Sequence, residues 1–199
     1  MGIVTADITT TVDGFGAAAD QSFEHPFGSL DHLRLHAWQI DHRDDNPDEA
    51  AGILRAGAFI MGRNMFSPGR GEWDLAWRGW WGEEPPYRAP VFVLTHHERE
   101  PLEMAGGTTF HFVTGGIEDA LDRAREAAGD ANVAIAGGAS TVNAYLAAGL
   151  IDELRWHVAP LVSGLTEGSR LFEGVPSSDL VPVASRTTPY VTHLTYRRT

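Results

Sequence analysis

The chain has 199 residues, with 15 basic and 27 acidic side chains and a formal net charge of −12. All 15 basic residues are arginine, and the chain contains no cysteine. The absence of lysine excludes Schiff-base enzymes and the usual phosphate-loop NTPases, and the absence of cysteine excludes disulfides, thiolate zinc sites and cysteine nucleophiles. Any bound phosphate must therefore be held by arginine, hydroxyl or backbone N–H groups.

The remaining composition, with 43% hydrophobic and 21% charged residues, is typical of a globular protein with one domain over residues 1–199. The acidity argues against a nucleic-acid partner, which needs a basic surface. The N-terminal residues lack the basic and apolar regions of a signal peptide, and no stretch approaches the roughly 20 apolar residues of a membrane span. We therefore expect a cytoplasmic protein with no membrane association.

The first half of the chain alternates apolar runs with polar breaks. Ile3–Val12 is rich in β-branched residues and predicts a strand that opens into a loop. The apolar spacing in Leu30–Ala37 predicts a helix, and an asparagine followed by proline predicts the start of a second helix over Asn46–Gly57. Ala58–Met61 predicts a short buried strand, and the glycine, proline and tryptophan residues of Ser67–Pro90 predict a long loop.

The second half of the chain predicts further alternating strands and helices. Strands are expected at Val91–Thr95, Thr108–Val113, Val133–Ala136 and Leu154–Val158, and as two runs within Leu180–Arg198 separated by Pro189; helices are expected at Ile117–Ala128 and from Ala139 to Gly149. Strands that alternate with helices predict an α/β fold with a mostly parallel central sheet. The consecutive C-terminal strands predict an antiparallel edge.

The strongest local signal for ligand binding is a strand, a double glycine and a helix within Val133–Leu146. Gly137 and Gly138 permit a backbone that side chains would block, and the helix that follows presents free N–H groups, so this turn can hold a pyrophosphate. The alternative is a tight turn without a ligand. The dinucleotide motif G-x-G-x-x-G is absent, so a dinucleotide would bind here on a different fold.

Two other predicted strands end at polar residues. Met61-Gly62 is followed by Arg63, and the strand at Val91 ends at Thr95-His96-His97. Ligands in open α/β sheets gather beyond the carboxyl ends of the strands, where an arginine meets anions. Each of these signals is weak alone, and together they favour an anion site at one edge of the sheet.

Several runs together resemble the dihydrofolate-reductase-like family: V-D-G, M-G-R-N-M-F, V-F-V-L-T-H-H, H-F-V-T-G-G and A-I-A-G-G-A-S-T. The segment from Ala136 to Gly174 is similar to the reductase domain of the bifunctional riboflavin-biosynthesis deaminase/reductase and its stand-alone relatives. The resemblance extends from Ile3 to the C-terminus. It implies a three-layer α/β fold, with a mostly parallel central sheet and antiparallel C-terminal strands.

The resemblance also implies a site for NADPH. Gly137, Gly138, Ala139, Ser140 and Thr141 match the turn that holds the pyrophosphate. Arg63, after Gly62, matches the arginine that meets the cofactor phosphates. Thr95 and His96 match the pair near the adenosine 2′-phosphate, and Thr114 and Gly115 match the strand end on the adenine side. NADP is favoured over NAD because the chain offers arginine and hydroxyl groups for the extra phosphate.

Asp13 matches an acidic residue that the family places beside the nicotinamide and the substrate. Such a carboxyl group orients a substrate amine or hydroxyl, or relays a proton as hydride leaves the nicotinamide. The alternative is that Asp13-Gly14 only forms a turn. The riboflavin reductases typically carry lysine after this Asp-Gly pair, whereas this chain has Phe15, a departure that bears on the phosphoribosyl substrate.

The long loop contains four tryptophans and three arginines, whose function the sequence leaves open among a substrate lid, a subunit interface and packing: Trp73, Trp77, Trp80, Trp81, Arg70, Arg78 and Arg88. A separate alternative is a metal site. His32 and His36 have the spacing of two ligands on one helix face, and His25, His42, Asp31 and Asp41 lie nearby. No H-E-x-x-H motif occurs, and we predict no metal.

The leading expectation is an NADPH-dependent reductase that transfers hydride to a small heterocyclic or sugar-derived substrate. Its most specific form is reduction of 5-amino-6-(5-phosphoribosylamino)uracil in riboflavin biosynthesis. The alternatives are an NADP(H)-binding protein on the same fold without catalysis and a reductase of a pterin- or folate-like substrate. The resemblance further implies a homodimer.

Overall fold

The polypeptide, described over residues 2–199 in a computed structural model, forms one large sheet with helices and a long loop against its faces. The strands are β1 (Val4–Thr10), β2 (Phe15–Ala18), β3 (Ala58–Gly62), β4 (Pro90–Leu94), β5 (Leu102–Glu103), β6 (Thr109–Val113), β7 (Val133–Gly137), β8 (Glu153–Val158), β9 (Gly168–Arg170), β10 (Leu180–Thr188) and β11 (Val191–Arg198). The helices are α1 (His32–Leu35), α2 (Ala37–Ile40), α3 (Pro47–Gly52), α4 (Arg63–Phe66), α5 (Gly116–Ala128) and α6 (Ala139–Ala147).

Within residues 2–199 the main sheet has nine strands in the order β10-β11-β8-β1-β7-β3-β4-β6-β5. The strands from β8 to β6 in this order are all parallel, so their carboxyl ends lie along one edge. The terminal hairpin β10-β11 joins β8 in antiparallel pairing, and β5 joins β6 in the same way. The predicted mostly parallel sheet with antiparallel C-terminal strands is therefore confirmed.

The two faces of the central strands pack against different layers. Ala58 and Ile60 of β3 face the cluster that contains the buried side of α5 and α6, whereas Phe59 and Met61 face the long loop. The strands are apolar on both faces because both faces are covered, as is typical of parallel sheets. The result is a three-layer α/β arrangement, as predicted.

The predicted helices and strands are found with shifted ends. The apolar spacing of Leu30–Ala37 corresponds to two short helices, α1 and α2, which meet at His36. The helix that begins after Asn46 ends at Gly52, so the prediction that it continues to Gly57 is wrong. Asn46 occupies the N-cap position, but its side chain makes no capping hydrogen bond and instead donates to the carbonyls of Trp38 and His42.

The sequence patterns did not predict β2, β5, β9 or α4. Strands β2 and β9 pair with each other as a separate two-stranded sheet, in which Phe15 is the partner of Arg170. Each is too short to show a period-two pattern, and pairing across a long chain separation leaves no local signal. In the described part of the chain, no helix is long and apolar enough to cross a membrane.

Candidate active site

The residues that the sequence singled out lie along the carboxyl edge of the parallel strands. The strand register places Gly62 beside Leu94, and Leu94 beside Val113. The residues that come next on these strands are Arg63, Thr95 and Thr114, so the three follow the same level of the sheet. The edge also carries Gly137-Gly138 after β7 and Asp13 after β1. We call this row of strand ends the carboxyl edge.

The turn between β7 and α6 consists of two glycines that leave its backbone uncovered by side chains. Gly137 has a φ of +116°, a conformation that L side chains rarely adopt, and its peptide bond to Gly138 is cis. A Cβ added to Gly138, which is exposed, would meet no atom within 4 Å. The turn therefore leaves open space in front of the first turn of α6.

The start of α6 packs closely against β3 and is hydrogen-bonded to Ser169. A Cβ on Gly62 would collide with the hydroxyl of Thr141, so Thr141 would have to shift if residue 62 had a side chain. The hydroxyl of Ser169 accepts a hydrogen bond from the backbone N–H of Ser140 at 3.2 Å and lies 3.1 Å from its hydroxyl. An oxygen atom of the chain thus already occupies an acceptor position at this helix start.

Arg63 is a cation without an anionic partner in the described part of the chain. Its guanidinium carbon lies 4.1 Å from the centroid of the Trp73 ring, and its buried Nε has no hydrogen-bond partner within residues 2–199. Burial, followed by the charge of Arg70, lowers the pKa of Arg63, although an arginine stays charged at neutral pH. A buried N–H group without a partner costs free energy, which an anion at this position would recover.

The end of β4 divides its polar groups between structure and solvent. The buried hydroxyl of Thr95 accepts a hydrogen bond from the backbone N–H of His97 at 3.1 Å, so it stabilises the turn. His96 is exposed, while Nδ1 of His97 lies 3.1 Å from the carboxylate of Glu72. Of the predicted pair, His96 is free to meet a ligand, whereas Thr95 holds the backbone in place.

The end of β6 is an exposed turn. Thr114 and Gly115 are both exposed, and Gly115 is the N-cap residue of α5. A Cβ on Gly115 would lie 2.9 Å from the Cβ of Asp119, so glycine is needed here for packing. The structure places these two residues on the carboxyl edge, and contact with an adenine stays a prediction.

The carboxylate of Asp13 accepts hydrogen bonds from the loop that follows β8. Its Oδ1 accepts from the backbone N–H of Ser163 at 3.0 Å, and its Oδ2 accepts from the Ser163 hydroxyl at 2.7 Å and from the N–H of Gly164 at 3.1 Å. Burial raises the pKa of Asp13, but the hydrogen bonds from Ser163 and Thr11 outweigh burial and hold the pKa well below its usual range. Asp13 is therefore an ionised acceptor that orders a loop, which gives no support to the predicted proton relay.

Phe15 has a hydrocarbon side chain, which brings no polar group to the site, and the residue is only 6% exposed. A cation reaches the same place from β9: the guanidinium carbon of Arg170 lies 5.6 Å from the centroid of the Phe15 ring. Nε of Arg170 donates to the backbone carbonyl of Asp13 at 2.9 Å. Ser163, Ser169 and Arg170 were not predicted as site residues, because strand β9 and the loop before it have no local sequence pattern.

The long loop is mainly a packed layer. The indole N–H of Trp73 donates to the carbonyl of His97 at 2.9 Å, and that of Trp77 donates to the carbonyl of Phe66 at 2.8 Å. Trp81 stacks on Phe110 with centroids 5.8 Å apart. Of the three alternatives, packing therefore describes Trp73, Trp77 and Trp81. Trp80 is partly exposed and packs in a cluster with Trp77 and the exposed Phe23.

The histidines of the metal alternative make other contacts. The ring of His32 stacks on Phe27 with centroids 5.4 Å apart, and Nδ1 of His36 contacts the backbone carbonyl of His32. Burial lowers the pKa of His36 to about 4. Residues 2–199 contain no group of three or more histidine, aspartate or glutamate side chains arranged to hold a metal ion.

The chain is similar to several known proteins. The model of the RibD C-terminal domain family matches residues 3–194. A candidate riboflavin biosynthesis protein of Shewanella sp. PV-4 is 25% identical, with a TM-score of 0.68 over 99% of both chains. A pyrimidine reductase-like protein of Corynebacterium diphtheriae is 14% identical, with a TM-score of 0.57 over 100% of this chain and 92% of its own.

The fold also matches a longer protein. The diaminohydroxyphosphoribosylaminopyrimidine deaminase/5-amino-6-(5-phosphoribosylamino)uracil reductase of Thermotoga maritima is 16% identical, with a TM-score of 0.58. The match covers all of this chain and 57% of the Thermotoga chain. No curated protein matches the sequence. Since the family model spans nearly the whole chain, the protein belongs to the RibD C-terminal domain family.

Proposed function

We propose that the protein is an NADPH-dependent reductase that acts on a small heterocyclic or sugar-derived substrate. Membership of the RibD C-terminal domain family supports a reductase, because the Thermotoga relative bears the name of a deaminase and a reductase. The observation that carries the choice of cofactor is Arg63, whose buried Nε has no partner within residues 2–199. A phosphate at this end of β3 would satisfy the buried donor.

The residues of the carboxyl edge fit a phosphate-bearing cofactor. The open turn at Gly137-Gly138 and the N–H of Ser140 would hold the pyrophosphate, and the hydroxyl of Ser169 would be displaced or shared. Arg63 and His96 would meet the additional phosphate that distinguishes NADPH from NADH. When bound, the nicotinamide supplies the hydride.

The function of Asp13 in this proposal is to position other groups. Its three hydrogen bonds hold Ser163 and Gly164 beside the end of β1, and its carbonyl holds Nε of Arg170. Since hydrogen bonds hold the pKa of Asp13 well below its usual range, the proposal assigns the proton that accompanies the hydride to solvent or to the substrate. The most specific substrate is 5-amino-6-(5-phosphoribosylamino)uracil, with pterins as the alternative class.

A second function, binding of NADP(H) without catalysis, is favoured by two observations. Phe15 follows Asp13-Gly14 with a buried hydrocarbon ring, and both carboxylate oxygens of Asp13 already accept hydrogen bonds. A protein of this kind would bind the cofactor with the same residues. Only turnover distinguishes it from the reductase.

The test uses the position of Trp73 against Arg63, which makes its indole a reporter of the site. Titration with NADPH should quench the tryptophan fluorescence at lower concentration than titration with NADH. Trp73→Phe should lose most of the quenching while calorimetry still detects binding. If neither cofactor binds to the wild type, the proposed function fails.

Turnover is then measured as loss of absorbance at 340 nm with NADPH and a panel of substrates. The panel contains the phosphoribosylamino-uracil, its dephosphorylated form and a dihydropterin. Turnover of one class identifies a reductase and its substrate class. Binding of NADPH with no turnover on the whole panel selects the binding protein.

A further inference from the structure

Arg170 is held in place by its neighbours more firmly than an ordinary surface arginine. It is paired with Phe15 in the β2–β9 sheet, and its carbonyl accepts a hydrogen bond from Nδ2 of Asn143 at 2.8 Å. The next residue, Leu171, donates its N–H to the carbonyl of Gly14 at 2.9 Å. The backbone of Arg170 is therefore fixed both by β2 and by helix α6.

In the described part of the chain, the guanidinium of Arg170 is held through one of its three nitrogens only. Nε donates to the carbonyl of Asp13, and the guanidinium carbon lies 5.6 Å from the centroid of the Phe15 ring. The two terminal nitrogens make no hydrogen bond to any side chain or carbonyl in residues 2–199, although the residue is exposed to ligands. They form a planar fork that matches the two oxygens of a carboxylate or phosphate.

Within residues 2–199, no carboxylate forms an ion pair or a hydrogen bond with this fork. Asp13, whose carbonyl accepts from Nε of Arg170, uses both carboxylate oxygens to accept hydrogen bonds from Ser163 and Gly164. Elsewhere in the sheet the pattern differs: Arg186 contacts Glu49 at 2.6 Å, and Arg197 contacts Glu153 at 3.1 Å. Arg170 thus stands at the carboxyl edge as a positioned and uncompensated cation.

The location of Arg170 separates it from Arg63. The preceding residue, Ser169, touches Ser140 at the start of α6, which places Arg170 beside the glycine turn. Its other contacts, Asp13 and Phe15, belong to the end of β1 and to β2, whereas Arg63 follows β3 on the other side of β7. Two uncompensated arginines therefore flank the glycine turn.

We infer that Arg170 binds an acidic group, a phosphate ester or a carboxylate, of the molecule that the protein reduces. The inference rests on the proposed reductase function and deepens it, because it names the residue on the β1 side of the edge that recognises the acidic group. Arg63 then serves the cofactor, and Arg170 serves the substrate. Arg170 of β9 thus supplies the cation that an acidic substrate needs, and Phe15 supplies the apolar ring against which the guanidinium packs.

The experiment titrates three sugars into the full chain by calorimetry, with and without NADP⁺: ribose 5-phosphate, ribonate and uncharged ribose. The variants are Arg170→Gln, Arg170→Lys and, as a control, Arg55→Gln, which removes an exposed arginine away from the edge. Circular dichroism and the melting temperature of each variant confirm folding. NADPH is titrated into the same samples.

We expect an anionic sugar to bind the wild type and the Arg55→Gln protein equally, and ribose to bind neither. Arg170→Gln should weaken the anion by about tenfold or more while leaving NADPH affinity within about twofold. Arg170→Lys should give an intermediate loss, because lysine keeps the charge but not the fork. Stronger binding of ribose 5-phosphate assigns a phosphate ester, and stronger binding of ribonate assigns a carboxylate.

Three results would overturn the inference: no binding of either anion to the wild type, equal anion affinity of wild type and Arg170→Gln, or a loss of NADPH affinity in Arg170→Gln as large as the loss of the anion. The last result would place Arg170 in the cofactor site. Failure of the wild type to bind NADPH would instead contradict the proposed function, and the sugar titrations without NADP⁺ would still test Arg170.

Discussion

Two polar regions of the same sheet are organised in opposite ways. At the carboxyl edge, Arg63 and Arg170 have no carboxylate partner in the described chain, and the glycine turn between them opens to solvent. On the face of strands β8 and β11, polar side chains instead pair with one another beneath residues 38–49. We call this second region the buried seam, formed by Trp38, Asn46, Glu49, His157, Arg186 and His193.

Most donors and acceptors of the buried seam are paired within the chain. The exception is Nε2 of His157, which makes no hydrogen bond in residues 2–199 and lies 3.5 Å from Oδ1 of Asp7. Nε2 of His193 donates to Oδ1 of Asn46 at 2.9 Å, because the amide nitrogen of Asn46 already donates to two carbonyls. Nδ1 of His193 then accepts from Nδ1 of His157 at 2.7 Å. Arg186 closes the outer side with bonds of 2.7 and 2.6 Å to Glu49, and Trp38 is fully buried.

The difference separates polar groups that stabilise the fold from those that are available to a ligand. A polar group paired within the chain contributes to stability and is unavailable to a ligand, whereas a positioned charge without a partner marks a binding site. The comparison predicts that matched substitutions in the two regions have opposite effects, on affinity at the carboxyl edge and on stability in the buried seam.

The largest expected effect comes from a matched pair of arginine substitutions. Arg63→Gln should weaken NADPH by about 10- to 100-fold, because it removes a charged donor from a phosphate, and should weaken NADH less. Arg186→Gln should leave both affinities unchanged and lower the free energy of unfolding by about 1 kcal/mol, because it breaks a half-exposed pair with Glu49. Fluorescence titration and urea denaturation measure the two effects.

If Arg63→Gln lowered only stability and Arg186→Gln lowered only NADPH affinity, the two regions would not divide binding from stability as described. An equal loss of NADPH and NADH affinity in Arg63→Gln would also contradict the assignment of Arg63 to the 2′-phosphate side. A loss of cofactor affinity in Arg186→Gln would show that the buried seam and the carboxyl edge are coupled.

The second prediction concerns the contact between β3 and α6 at the carboxyl edge. Gly62→Ala places a Cβ against the hydroxyl of Thr141 and should cost about 1–3 kcal/mol of stability as well as NADPH affinity. The control is Gly16→Ala, where the nearest atom to the new Cβ is 3.6 Å away, an ordinary contact. Urea denaturation of both variants checks the difference, and equal stability of the two would refute the close approach.

The third prediction is a pH dependence of the buried seam. Burial, followed by the charge of His157, lowers the pKa of His193 to about 4, and the charge of Glu49 acts in the opposite direction. His193 binds a proton near pH 6.5 in the unfolded chain and only near pH 4 in the folded chain. The contribution of neutral His193 to stability is therefore complete above pH 6.5 and falls as the pH drops from 6.5 towards 4.

We expect the loss between pH 7 and pH 4.5 to be about 1 kcal/mol larger in the wild type than in His193→Gln. Urea denaturation at several pH values measures it. NADPH affinity should be equal in the two proteins at pH 7. A pH dependence of stability that persists unchanged in His193→Gln would show that other groups cause it.

The smallest expected effect concerns Glu72, an acidic group beside the cationic side of the edge. Its carboxylate lies 3.1 Å from His97, and its charge partly opposes the lowering of the Arg63 pKa by burial and by Arg70. Because the Glu72 side chain is 91% exposed, Glu72→Gln should raise NADPH affinity only about two- to threefold, with no change for NADH, and high salt should remove the gain. Glu100→Gln is the control, and a gain of the same size in that variant would show a general charge effect.

The sequence predicted the central elements because their signals are local. The periodicity of Ile117–Ala128 predicted α5, and the apolar run at Val133 followed by two glycines predicted β7 and the turn before α6. The short strands β2 and β9 escaped prediction because each depends on the other. The histidines of the buried seam showed no spacing pattern, since Asn46 and His193 meet across 147 positions of the chain.

The sequence alone determined that the chain has no lysine, and it led to the expectation that arginine and backbone groups hold any phosphate. It also identified the strand-end residues Gly62-Arg63, Thr95-His96 and Gly137-Gly138. Only the tertiary structure decided which strand ends are neighbours and which polar groups are already occupied. It paired Asp13 with Ser163 across 150 positions and brought Arg170 over Phe15. These contacts depend on strand order and on hydrogen bonds between distant segments, for which no local pattern exists.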